Sequence, residues 1–379
     1  MAIDLRFTPE QEHLRGAARD YFQRNCPTTV VREVEDGETG FVPGMWAEMA
    51  RLGWLGIAVP ETYGGSGGGF LDLFPLYEEL GRALVPSPHL DTAVIAVETL
   101  LAAGSDAQRD ELLPAIVEGR CIVSLALLEA NGGFGRSSVT LPATAQGDDF
   151  VLDGTKLLVP FAPSADRLLC AARTGTGTSS EGVTLFLVDP GAPGVTLSRL
   201  RTIDGGPLFA VELAGVTVSA ADVVGDVGRG WEPLAQAMTK AAVLQTATIV
   251  GAGHAVLDMT NQYAKDREQF GNPIGRYQAV QYMVTDVLID MHRADLLARQ
   301  AAYRIDAGKP FAREAAIAIA FGKEAAAHLH RQAHEVHAGV AFILDHDLQL
   351  YSRRSKFWEN NLGDARYHHD QLARELQLV

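Results

Sequence analysis

Hydrophobic positions return along this chain in two rhythms, and the change between them divides it into three parts. Up to about residue 120, apolar residues recur every three or four positions. That spacing predicts helices from about residue 9 to Pro27 and over 45–52, 71–84, 90–103 and 107–118. Thr8-Pro9-Glu10-Gln11 opens the first with a capping hydroxyl, a first-turn proline and a reciprocal Gln. Gly- and Pro-bearing stretches such as 60–69 break the pattern. Residues 1–120 therefore form an N-terminal helical domain. Short β-branched and apolar runs follow at 121–128, 150–152, 156–159, 167–172, 183–188 and 209–218, parted by turns such as Gln146-Gly147-Asp148-Asp149. With no helices between them, these strands predict an antiparallel barrel or sandwich over 121–226, not a dinucleotide-binding parallel sheet. From Gly230 onward four long amphipathic patterns, 231–266, 277–306, 312–337 and 347–361, predict a C-terminal four-helix bundle over 227–379. The fold class is α+β multidomain, in the order helical, β, helical.

Charge and cysteine usage narrow the partners. A net charge of -15 argues against binding nucleic acid or an anionic membrane, so any phosphate site is a local exception. Cys26, Cys121 and Cys170 lie far apart with no CxxC, which predicts neither a zinc site nor a disulfide framework. The opening MAIDLRFTPEQEHLR has no basic-then-apolar leader pattern, and no apolar run reaches the ~18 residues of a membrane span. A soluble, cytoplasmic protein is expected.

Residues 263–281, YAKDREQFGNPIGRYQAVQ, carry the candidate chemistry. Gly271 can supply the positive φ of a helix C-cap, and Pro273 stops the helix. Arg267 offers a planar fork suited to phosphate, and Gln278 stands where a helix N-terminus favours anions. The alternative is a helical hairpin in which Arg267 pairs with a neighbouring carboxylate.

In this architecture the stretch closely resembles the signature of acyl-CoA dehydrogenases. VPETYGGSGGGFLDLFPLYEELGRAL resembles that family's N-terminal loop and helix, DELLPAIVEGRCIVSLALLE its passage into the β domain, and DGTKLLVPFAPSADRLLCAAR its central hairpin. The resemblance covers nearly the whole chain in collinear order. It implies a tetramer binding FAD across subunit interfaces, an acyl-CoA thioester substrate, and electron-transfer flavoprotein as an acceptor. The implied reaction is α,β-dehydrogenation, in which a carboxylate takes the α-proton and the flavin takes the β-hydride. An α-proton is too weakly acidic for water, so a positioned base is required. By the same resemblance Arg267, Gln269, Phe270 and Gln278 reach the pyrophosphate and adenosine of a neighbouring subunit's FAD, and Gly339 belongs to a second contact loop.

Several positions depart from the family pattern. Its glutamate base falls on Leu362 before Gly363, or in a minority of members on Ala241, and neither accepts a proton. Glu359 and Asp364 are the nearest carboxylates, Glu359 being the better candidate for a shifted base; the alternative for both is a solvated or ion-paired helix end. Where the family places a hydroxyl near flavin stands Leu128, and the ring-facing hairpin reads Leu157, Leu158, Val159, Pro160, which cannot donate side-chain hydrogen bonds. The second loop reads Glu335, Val336, His337, Ala338, Gly339, Val340, Ala341, its glutamate unfavourable beside a pyrophosphate. His330, His334 and His337 share roughly one helix face, but without Glu-x-x-His pairs a polar interface is preferred over a metal site. The glycines of 64–69 read as a loop, since no Gly-Lys-Ser or Gly-Lys-Thr follows.

Three readings follow. The first is a base-lacking subunit of a hetero-oligomer acting on a bulky acyl-CoA, such as one carrying a sterol side chain. The second is a self-sufficient homo-oligomer using a shifted base such as Glu359, and the third is a structural subunit without flavin.

Overall fold

The computed structural model describes residues 5–175 and 182–378. Helix α1, Pro9–Asn25, starts where the capping box predicts: Thr8 Oγ1 accepts from Gln11 N at 3.3 Å and Gln11 Oε1 accepts from Thr8 N at 3.0 Å. Pro27 does not end the helical region but caps a new helix, α2 (Thr28–Asp36), because a proline costs nothing where no N–H is needed. Helices α3 (Pro43–Arg51), α4 (Phe70–Arg82), α5 (Val97–Ala103) and α6 (Asp106–Val117) complete this part. The helix expected over 90–103 begins as a wide π-helical segment, Leu90–Ala96, before tightening into α5. Residues 64–69 form a loop folded so closely on itself that a Cβ on Gly65 would lie 2.1 Å from the Val59 carbonyl oxygen.

The middle of the chain forms two four-stranded sheets facing one another as an open sandwich, not a closed barrel. β1 (Val123–Ala126), β4 (Arg167–Arg173), β5 (Val183–Val188) and β8 (Val223–Val224) make the first, and β2 (Ala143–Gln146), β3 (Asp149–Pro160), β7 (Leu208–Val218) and β6 (Val195–Leu200) the second. Pairing is antiparallel except between β1 and β4, which run parallel. The all-antiparallel expectation fails there because β1 and β4 are joined by a long excursion through the other sheet, and such a crossover permits parallel pairing. The runs 150–152 and 156–159 belong to one strand, β3, interrupted by bulges.

α7 (Trp231–Asp266), α8 (Gln278–Asp306), α9 (Ala312–His337) and α10 (Leu348–Asn360) are the predicted long helices. A fifth, α11 (Ala365–Glu375), packs on α9. It escaped the pattern because His368 is its one fully buried residue, so it carries no apolar stripe. Alanines 294, 298, 301 and 302 of α8 and 315, 318, 325 and 326 of α9 are buried, and their small side chains let these helices lie close together. α4 crosses α7 through two glycines: a Cβ on Gly81 would fall 1.9 Å from Thr248 O, and one on Gly251 1.8 Å from Glu78 O. That crossing brings α4 and α7 together beneath the site described next. Among the described residues no helix is long and apolar enough to cross a membrane.

Candidate active site

Where the three parts of the chain meet lies a cavity of about 150 Å³. Tyr77 and Leu80 of α4 form one wall, Leu90, Asp91 and Ile95 of the π-helical segment a second, and Gln245 and Thr248 of α7 a third. Leu125, Leu127 and Leu128, with Leu157 and Leu158 of the β3 bulge, close the β side. A buried ion pair fixes that side. Lys156 Nζ donates to Glu129 Oε1 at 2.6 Å and to Leu127 O at 3.1 Å, and Leu157 N donates to Leu128 O at 2.8 Å. Burial alone would raise the Glu129 carboxyl, but Lys156 and hydrogen bonds from Thr140 and Leu141 outweigh it and hold the group below the usual carboxylate range. The bulge places Leu158 at φ +55, a conformation that costs a non-glycine residue roughly 1 kcal/mol, and turns its side chain into the cavity wall.

A second cavity, of about 670 Å³, adjoins the first. Arg136, Trp231, Met238, Thr239, Tyr367 and Arg374 are among its lining residues, and Phe134 and Leu362 line both cavities. Leu362 thus stands at the junction. It sits at φ +56, and its carbonyl accepts from His368 Nε2–H at 3.0 Å. Burial pushes the His368 imidazole down to about 4, so at neutral pH the ring is neutral, with its proton on Nε2. Just before the junction, Lys323 Nζ donates to the carbonyls of Trp358, in the last turn of α10, at 2.6 Å and of Asn361, the residue that follows the helix, at 2.8 Å, capping orphan groups of the helix end. Burial pushes this lysine down to about 7.

Among the described residues, the two that line both cavities, Phe134 and Leu362, carry no proton-accepting side chain. Leu362 is aliphatic, and Ala241 is fully buried in α7. Glu359 lines neither cavity; its carboxylate takes Lys356 Nζ at 2.8 Å and Ser355 Oγ at 3.2 Å. Asp364 accepts from Tyr367 N at 2.8 Å as the cap of α11. One carboxylate does line the first cavity, and sequence reasoning passed over it: Asp91, whose carboxyl takes backbone N–H groups, among them that of Leu125 at 3.4 Å, and is raised by burial to about 7. The available signal was an acid opening the apolar run LDTAVIAV.

The exposed end of the bundle carries the other candidates. α7 stops at Arg267, and the next residues form a two-residue hairpin: Gln269 pairs with Asn272, with Phe270 and Gly271 both at positive φ. Gly271 therefore serves a hairpin turn and not the helix C-cap expected of it. Arg267, Gln269 and Gln278 are exposed, and Phe270 is 94% exposed. Among the described residues the Arg267 guanidinium has no hydrogen bond or ion pair, so the alternative of a paired arginine is not what forms. Gly339 is exposed in the turn Ala338–Phe342, and Glu335 is exposed just before it. The histidines of α9 do not converge. His328 bonds Asp290, His330 and His334 both contact Ser352 Oγ, and His337 stacks on Tyr263 with ring centroids 4.3 Å apart. No cluster of three or more His, Cys, Asp or Glu side chains able to hold a metal is found among the described residues.

Comparison with known proteins places these features in a family. Residues 8–120, 124–216 and 228–377 match the models of the acyl-CoA dehydrogenase N-terminal, middle and C-terminal domains. The chain is 32% identical to the acyl-CoA dehydrogenase FadE27 of Mycobacterium tuberculosis, over 99% of each protein. Among solved structures it resembles the ChsE4–ChsE5 complex of Mycobacterium tuberculosis, with a TM-score of 0.90 and 31% identity over 100% of both chains. It also resembles the Tcur3481–Tcur3483 steroid ACAD G363A variant, with a TM-score of 0.87 and 30% identity over 97% of this chain and 98% of that one.

Proposed function

The chain belongs to the acyl-CoA dehydrogenase family of flavoprotein oxidoreductases acting on CH–CH donors, and we propose that it supports FAD-dependent α,β-dehydrogenation of an acyl-CoA as the base-lacking subunit of a hetero-oligomer. One observation carries this reading. The junction of the two cavities, the place for a thioester with its acyl group on one side and its pantetheine arm on the other, is occupied by Leu362, with Ala241 at the second base position.

The residues divide in their fit to FAD. Arg267, unpaired and exposed beside Gln269, Phe270 and Gln278, fits the anionic pyrophosphate of a cofactor held by a neighbouring subunit. Gly339 leaves that approach open, since a Cβ there would meet nothing within 4 Å. This chain's own aliphatic wall of Leu127, Leu128, Leu157 and Leu158 offers packing but no side-chain donors to a flavin ring. FAD, when bound, supplies the acceptor for a β-hydride. This chain's part is to position that cofactor for its partner through Arg267 and to keep water from the junction with Leu362, while the partner supplies the carboxylate that takes the α-proton.

Assembly and substrate class follow in the same reading. Tyr282, Ile289 and Leu296, exposed at seven-residue spacing along α8, make an apolar seam suited to a neighbouring helix, and a tetramer is the form we favour. A bulky acyl group of sterol type agrees with the solved steroid ACAD and with the two-protein ChsE4–ChsE5 assembly among the similar structures. Electron-transfer flavoprotein is the acceptor proposed. Three buried free cysteines accord with a reducing cytoplasm.

Co-expression tests the proposal. The chain is produced alone and with a base-containing acyl-CoA dehydrogenase subunit, and the ~450 nm flavin absorbance is followed anaerobically on adding an acyl-CoA. Flavin retention and bleaching only in the co-expressed complex are expected. Bleaching by the chain alone would sink the hetero-oligomer in favour of a self-sufficient enzyme, and loss of that bleaching in Glu359→Gln would identify its base.

A further inference from the structure

The first cavity is lined mostly by leucines, yet one stretch of its wall is polar. Asp91, Tyr77 and His89 line this cavity and not the second, which places them against the acyl group and not the pantetheine arm. Their hydrogen bonds are incompletely used. Trp54 O can only accept, so His89 Nε2 carries the proton it donates across 3.0 Å, and Nδ1 must accept from Tyr77 Oη at 2.8 Å. The Tyr77 proton is thereby committed, and the lone pairs of its oxygen are free to accept. Asp91 is held at the start of the π-helical segment, a rare geometry frequent at functional sites, and its carboxyl takes backbone N–H groups, its own and that of Leu125 at 3.4 Å, with no side-chain donor among the described residues. The Leu125 distance lies beyond the usual N–H···O range, so the carboxyl keeps acceptor capacity on the side that lines the cavity. A carboxyl held only by backbone N–H groups and a phenol oxygen with free lone pairs, both lining an apolar chamber, point to a ligand that brings a donor.

We propose that Asp91, assisted by Tyr77, recognises a hydroxyl group on the acyl portion of an acyl-CoA, making this end of the cavity a specificity site for hydroxylated acyl chains or rings. A hydroxyl fits better than an ammonium. Burial raises Asp91 to about 7, so near neutrality the carboxyl is present in both protonation states, and a hydroxyl can donate to one and accept from the other without carrying a charge into the cavity. The assignment rests on the reading of this cavity as an acyl-CoA site, but not on whether this chain or its partner performs the chemistry.

The test is calorimetric binding of an ω-hydroxyacyl-CoA and its unsubstituted parent to the co-expressed complex, with wild-type, Asp91→Asn and Asp91→Leu chains. Wild type should prefer the hydroxyacyl thioester by roughly 10-fold, the worth of one hydrogen bond to a carboxyl group. Asp91→Asn should reduce that preference, and Asp91→Leu should abolish or invert it while leaving the parent bound as tightly or more so. Tight binding of both thioesters without preference in wild type overturns this inference and leaves the acyl-CoA reading standing. An unchanged preference in Asp91→Leu, or equal weakening of both thioesters by Asp91→Asn, also overturns it. Binding of neither thioester overturns the inference and the acyl-CoA reading of the cavity together.

Discussion

Replacing Lys156 with methionine removes the cation that holds the cavity's β wall. Lys156 is fully buried and Glu129 is 8% exposed, so the substitution leaves a carboxylate in the interior without its partner. Breaking a buried pair costs about 3–5 kcal/mol. Here Glu129 keeps bonds from Thr140 N at 3.0 Å, Leu141 N at 3.1 Å and the Thr140 hydroxyl, which places the expected loss near the lower end, about 3 kcal/mol. Unfolding entropy of about 2.1 cal/mol/K per residue over 379 residues comes to roughly 0.8 kcal/mol/K, so the melting temperature should fall by about 4 °C if the chain unfolds as one unit. Adding Glu129→Gln removes the stranded charge, and the double variant should recover most of the loss, a coupling of roughly 2 kcal/mol. The pH dependence has a defined sign. The Glu129 carboxyl is lowered in the fold, so the pair's stabilisation is present above the ordinary carboxylate value and lost as pH falls through the folded one. Differential scanning calorimetry of the four proteins, at neutral and acid pH, checks both points. Additive losses in the double variant, or a Lys156→Met change within ~0.5 kcal/mol of wild type, would refute the claim that this pair holds the wall.

Four further outcomes follow from named positions. Gly251→Ala drives a Cβ to 1.8 Å from the Glu78 carbonyl, where only helix backbone could yield, so a loss of at least about 2 kcal/mol is expected in thermal melting. Gly16→Ala, in open space on α1, should instead gain about 0.5–1 kcal/mol. Arg267→Ala should leave the stability of the isolated chain within about 0.5 kcal/mol, since this guanidinium has no partner among the described residues, while lowering flavin retention by the hetero-oligomer; thermal melting and the 450 nm absorbance measure the two effects. Burial holds His89 down at about 4 against an ordinary 6.5. The unfolded chain takes up a proton there first, so stability drains as pH falls from 6.5 through 4. His89→Gln should remove a loss of up to about 3 kcal/mol over that window, and denaturant titrations at a series of pH values would show no flattening if the ring were charged in the fold.

Much of this molecule is legible in its sequence because the signals are local. The Thr8-Gln11 capping box, the predicted spans of α7, α8 and α9, and the order helical, β, helical all follow from spacing and chain chemistry that act within a few residues. Helix α11 was not legible, because it is held by the surface it lies on and not by an apolar stripe of its own. The parallel pairing of β1 with β4 was equally hidden, since register between distant segments leaves no local mark.

The same division runs through the site. Sequence alone determined that a turn rich in donors follows α7 and that no carboxylate stands at residue 362 or 241, because residue identity and chain order suffice for both. Only the tertiary structure decided that Leu362 lies where two cavities meet, that the Arg267 guanidinium finds no partner among the described residues, that Glu359 is engaged by Lys356, and that Asp91 opens on a chamber of leucines. Those facts depend on which distant elements close around a side chain. A carboxylate reads the same in sequence whether it faces water, a lysine or an apolar cavity, and its chemistry is set by that difference in surroundings.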